Sequence, residues 1–205
     1  MRMIKGAKVP NADAIKEEYE IDDKWLTGNV DADKIGRILR EFIMMNNELF
    51  LVIEYPSSLE EEKTISGNVL EKEENGRKSY SIKVWHKNIY YMDALTREKA
   101  LQILERYGEV LIDDGYCYFG FGNRKFDEVS KTKYNIMYAY SKEELSKYEE
   151  IFMKNGLKKT EELKTAWEQF SQDSPGESLA APRTKGVIEE LVKDGMYLAK
   201  IVEDK

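Results

Sequence analysis

Asp114-Gly115 stands between two apolar runs, Val110-Leu-Ile112 and Cys117-Tyr-Phe119, and constrains the fold more than any other pair in the chain. An Asp-Gly pair in that setting favours a type I′ turn, because both central residues need positive φ. The segment from Tyr107 to Asn123 therefore reads as a β-hairpin, with Asp113 opposite Tyr116, Ile112 opposite Cys117, Leu111 opposite Tyr118 and Val110 opposite Phe119. Directly opposed residues share a face of a sheet. One face is then Val110, Ile112, Cys117, Phe119 and Phe121, which must be core. The other carries Glu109, Leu111, Asp113, Tyr116, Tyr118 and Gly120, an aromatic and acidic surface that packing alone does not require.

The rest of the chain extends the antiparallel theme. A second hairpin is signalled by Asn75-Gly76, with Val69 to Glu74 before it and Arg77 to His86 after it, the second arm patterned as a half-buried strand. Leu49 to Tyr55 is apolar on both faces, as a central strand must be, and Pro56 closes it because proline cannot donate to a ladder. Glu60-Glu61-Glu62 follows on a loop or short helix. Tyr134, Ile136, Tyr138 and Tyr140 alternate with Asn135, Met137 and Ala139 in a further strand. Helices are read after Asp31, with the stripe Ile35, Ile38, Leu39, Phe42 and Ile43, and after Thr96, where Gly108 is the expected stop. Ser141-Lys-Glu-Glu144 reads as a capping box, Leu163, Ala166, Trp167 and Phe170 as a helix begun at Thr160, and 184–194 as a helix ended by Gly195 before a short strand. These elements predict an α+β fold, mainly antiparallel, with helices packed on one face and a helical segment near the C-terminus. Residues 1–30, rich in acids, read as a weakly structured arm, and 31–205 as one domain that could be subdivided near 94/95.

Composition narrows the function. Thirty-nine acidic against 32 basic side chains give a net charge of −7, against the basic excess of a general nucleic-acid binder and in favour of a basic partner. No run approaches the ~20 apolar residues of a membrane span. A single cysteine cannot make an intramolecular disulfide, and without a signal-like N-terminal segment a cytoplasmic setting is expected. Cys117 and His86 are the one thiol and imidazole available for nucleophilic catalysis, but the hairpin register buries Cys117 among apolar neighbours, where a thiol is inert. Neither cofactor nor metal is expected from so few nitrogen and sulfur ligands.

Two binding candidates emerge. The first groups Asp113, Tyr116 and Tyr118 with Tyr138 on a tyrosine and acid surface, a composition favoured in recognition. The second is Gly120, Gly122, Asn123 and Arg124, a glycine-bearing strand end leading into a charged loop that could hold an anion or small molecule near residues 120–125. The run from Glu105 through Gly122, with Tyr134-Asn-Ile-Met137 and Thr165-Ala-Trp167 downstream, resembles small bacterial proteins of the toxin-immunity sort. That resemblance implies a non-enzymatic cytosolic module that neutralises a basic protein partner by binding. The alternative is a small-molecule or anion-binding protein or enzyme.

Overall fold

The computed structural model describes residues 1–74 and 76–204. Its elements are β1 (Ala7–Lys8), β2 (Glu18–Asp22), β3 (Trp25–Asn29), α1 (Ala32–Met45), β4 (Glu48–Pro56), α2 (Leu59–Thr64), β5 (Val69–Glu74), β6 (Arg77–Ile82), β7 (His86–Thr96) and α3 (Arg97–Asp113). They continue with β8 (Tyr118–Asn123), β9 (Glu128–Lys131), β10 (Ile136–Tyr140), α4 (Leu145–Lys154), β11 (Lys158–Lys159), β12 (Glu177–Ser178), α5 (Thr184–Lys193) and β13 (Tyr197–Glu203).

Nine strands form one sheet in the order β11-β2-β3-β10-β9-β8-β4-β7-β13, antiparallel throughout except for the short β11–β2 pair. The α+β fold expected from the sequence is the fold observed. The apolar run of β4 occupies the middle of the sheet, bonded on one side to β8 and on the other to β7, which is why it tolerates no polar face over Leu51 to Ile53. Leu51 lies opposite Phe121 and Ile53 opposite Phe119. With Val129, Met137 and Ala139 they face the helices and join the core. Their alternate neighbours Phe50, Val52, Gly120, Ser130 and Tyr138 point to the second face. α1 packs on β8 and β9, α3 on β4 and β7, α4 on β3 and β10, and α5 on α3. Asp31 Oδ1 accepts from Asp33 N at 3.0 Å to cap α1, and the stripe Ile35, Ile38, Leu39, Phe42 and Ile43 is fully buried.

The expected hairpin at Asp114-Gly115 is not there. α3 runs through Gly108 to Asp113, because Tyr107, Gly108, Leu111 and Ile112 continue the buried stripe begun at Ala100, Ile103 and Leu104. A short apolar run fits a strand or a helix equally well by pattern, and here tertiary packing decides for the helix. Tyr118 to Asn123 is a strand as expected, with Phe119 and Phe121 inward and Tyr118 and Gly120 outward, but its partners are β4 and β9. Gly115 serves close approach instead of a turn: a Cβ there would lie 2.0 Å from the Gly6 carbonyl oxygen. Gly115 N donates to Leu179 O at 2.9 Å, Leu179 N to Gly6 O at 2.8 Å and Gly6 N to Asp113 O at 2.8 Å, a backbone knot that ties three distant segments.

Residues 1–30 are not a loose arm either. β2 and β3 pair with each other and, through β3, with β10, burying Tyr19 and Leu26 while the acids face outward. Position 94/95 falls inside β7 and marks no boundary, since one core cluster draws on both halves of the chain. β5 and β6 pair as expected, although Asn75 lies outside the described residues. β6 is exposed along almost its whole length instead of half-buried, and His86 belongs to β7. The helix expected from Thr160 is reduced to a single 3-10 turn, Ala166–Gln169, capped by Thr165. Leu163, Ala166, Trp167 and Phe170 therefore share no helical stripe, and Trp167 and Phe170 pack edge-on against Tyr134 at 5.0 Å. Ser141 accepts from Glu144 N at 3.0 Å, half of the expected capping box, while the Glu144 carboxylate turns to Lys147 at 2.6 Å.

Candidate functional site

The end of β4, the start of α2, the first half of β7 and the length of α5 enclose a cleft of about 1050 Å³. Ligand sites in proteins are commonly about 300 to 1,000 Å³, mostly apolar, with a few converging polar groups. Its walls are Tyr55, Tyr90, Trp85 and Tyr116 on one side and Ile188 and Val192 of α5 on the other. Trp85 and Val192 are 51% and 44% exposed, so the cleft opens to solvent.

The polar floor follows from local sequence rules. Pro56 stops β4, and Ser58 three residues before Glu61 builds a capping box at α2: Ser58 N donates to Glu61 Oε2 at 2.7 Å and Glu61 N to Ser58 Oγ at 3.3 Å. The other carboxylate oxygen, Oε1, accepts from Asn88 Nδ2 at 2.8 Å, and Ser57 Oγ donates to Asn88 Oδ1 at 3.3 Å. Burial pushes the Glu61 carboxyl upward, but these hydrogen bonds, together with the charge of Lys185, outweigh it and hold the group below the ordinary carboxylate range. Tyr90 is raised by burial and by the Glu61 charge. Neighbouring Glu62 faces the opposite way. It is fully buried and accepts from His86 N at 2.7 Å, from Asn68 Nδ2 at 2.6 Å and, on the imidazole, pairs with Nδ1 at 2.9 Å. His86 is thus a structural partner at the base of the β5–β6 hairpin.

Asp114 anchors the far wall. Its Oδ1 accepts from Tyr116 N at 2.8 Å and Cys117 N at 3.0 Å, and its Oδ2 from Ala181 N at 2.8 Å, Thr184 Oγ1 at 2.7 Å and Tyr55 OH at 3.4 Å. One carboxylate therefore fixes Tyr55, the strand entry at Tyr116 and the N-terminus of α5, three components of the cleft. Burial and this charge together raise the Tyr55 hydroxyl.

The residues singled out from the sequence are dispersed. Tyr116 lines the cleft, half-exposed. Asp113 lies at the end of α3, paired with Lys5 at 2.7 Å. Tyr118 points to the second face of the sheet, where its hydroxyl bonds Glu128 and lies 2.6 Å from Ser130 Oγ; burial raises both Tyr118 and Glu128. Tyr138 stands on the same face, edge-on to Trp25 at 6.3 Å. Gly122 lies beneath the Phe50 ring, whose Cζ would be 2.1 Å from an added Cβ, and a Cβ on Gly120 would lie 2.4 Å from Ser130 Cβ. Asn123 Oδ1 accepts from Lys125 N at 2.8 Å and Asp127 N at 3.1 Å and so builds the β8–β9 turn, and Arg124 pairs with Glu48 at 2.9 Å. None of these four lines the large cleft. Cys117 is buried as expected, its thiol pushed up to about 12 by burial. Among the described residues no three metal-ligating side chains converge, and no helix is long and apolar enough to cross a membrane.

No family model, curated protein or solved structure matches this chain. The cleft escaped sequence reading because five separate stretches of the chain, around residues 55–61, 85–90, 116, 180–193 and 204, assemble it. Only the Ser58-x-x-Glu61 cap, lying just beyond a Pro-terminated strand, was visible as a local signal.

Proposed function

We propose that this chain is a binding protein for a small amphipathic molecule, held in the cleft between α5 and the β4–β7 end of the sheet. One observation carries this reading: a solvent-open cavity of about 1050 Å³ in which aromatic and aliphatic walls meet a hydrogen-bonded polar floor, Ser57, Asn88 and Glu61. A mostly apolar cleft with a few polar groups gathered at its floor matches a ligand that has an apolar body and a polar end. A protein-binding surface built from Asp113, Tyr116 and Tyr118 has less support, because Asp113 is paired with Lys5 and Tyr118 is committed to Glu128.

The test is a thermal-shift screen of aromatic amphiphiles against the native chain and Val192→Trp. Val192 is 44% exposed, so an indole there fills the cleft without disturbing the core. Hits that raise the melting temperature of the native chain and lose their effect on Val192→Trp support the proposal. Hits that act equally on both proteins, or a screen without hits, refute it.

A further inference from the structure

We propose that the cleft selects an organic cation, a ligand whose apolar body lies among the aromatic side chains and whose ammonium meets Glu61; this rests on the small-molecule reading above. Glu61 is the polar group best placed to discriminate. Its carboxylate receives hydrogen bonds from Ser58 and Asn88, all from neutral donors, and among the described residues no lysine, arginine or histidine lies within ion-pair distance of it. Charges withdrawn from water are ordinarily paired, and a part-buried carboxylate with neutral donors alone leaves its counter-ion to be supplied by what binds.

The surroundings favour a cation in two further ways. Tyr55, Trp85, Tyr90 and Tyr116 line the cleft, and aromatic rings attract ammonium groups through their quadrupoles. Charged residues at the walls and rim are Glu61, Glu189 and Asp204 against Lys185 and Lys193, three carboxylates to two ammoniums. Lys185 is close enough for its charge to reach Glu61 but forms no ion pair with it.

The probes are 4-phenylbutylamine, 4-phenylbutan-1-ol and 4-phenylbutyrate, which share one body and differ in the head, titrated calorimetrically at neutral pH. The amine should bind about tenfold more tightly than the alcohol, with the acid weakest. Glu61→Gln, which keeps a capping residue at the third helical position, should abolish the preference for the amine over the alcohol. Equal or tighter binding of the alcohol or the acid to the native chain overturns the cation proposal while leaving the small-molecule reading intact. So does an amine preference that survives Glu61→Gln. Failure of all three probes to bind at millimolar concentration removes the small-molecule reading itself, and the cation proposal with it.

Discussion

Replacing Lys131 by methionine isolates the electrostatic cost of one buried ammonium. Lys131 is fully buried at the end of β9, where its Nζ donates to the backbone carbonyls of Asp114 at 2.5 Å and Cys117 at 3.0 Å. Burial lowers its pKa from 10.5 to about 8, against the smaller opposing pull of Cys117, Asp114 and Asp113. At about 1.4 kcal/mol for each pH unit, keeping the group protonated costs the folded state about 3 kcal/mol below pH 8. The folded pKa is the lower one, so between about pH 8 and 10.5 the unfolded chain holds more protons and native stability rises with pH. Between pH 7 and 9 that rise amounts to about 1 kcal/mol, and Lys131→Met cannot show it. The Cys117 thiol, raised by burial from 9.0 to about 12, acts in the opposite direction above pH 9; the Lys131 charge pulls it down, so removing that charge only raises it further and leaves its contribution up to pH 9 the same in both proteins. Urea denaturation of the native chain and Lys131→Met at pH 7, 8 and 9 measures the difference. The native chain should gain about 1 kcal/mol on the variant across that range; parallel pH profiles would show that the amine titrates normally, and the assignment of a buried charge would be wrong.

Two further substitutions test the scaffold behind the cleft. Asp114→Asn places an amide donor against N–H and O–H donors on whichever side it turns, since both carboxylate oxygens already accept, and should cost about 3 kcal/mol or more in chemical denaturation; a loss under about 1 kcal/mol would mean the network is not a unit. Gly115→Ala sets a methyl 2.0 Å from the Gly6 oxygen and should destabilise by about 2 kcal/mol or more while disordering the Gly6–Leu179 contact, a result checked by amide hydrogen exchange at Gly6 and Leu179. Unchanged protection there would refute the close-approach role of the glycine.

Much of the fold was legible because single segments carried unambiguous patterns. The five-residue stripe of α1 with its Asp31 cap, the two-sided apolar run of β4 and the Gly195 stop after α5, where φ is +108°, each leave one local solution. The pattern failed where local evidence was evenly divided. Glu109 to Asp113 is too short to separate strand from helix, and only the surface it buries against α1 and the sheet resolves it. The first thirty residues hid their strands because β2 alternates Glu18, Glu20 and Asp22 with its apolar residues, so Tyr19, Ile21 and Leu26 were outnumbered by acids. The cleft was the least legible. Tyr55, Asn88, Tyr116 and Ile188 meet only through sheet order and the Asp114 anchor, and neither can be read from spacing.

Amide chemical-shift mapping with a bound aromatic amphiphile locates the binding site on the chain itself. A ligand seated beneath α5 should perturb Ser57, Trp85, Asn88, Tyr116 and Ile188, and these perturbations should be absent on Val192→Trp. Perturbations centred instead on Tyr118, Glu128 and Tyr138, across the sheet, would contradict that placement.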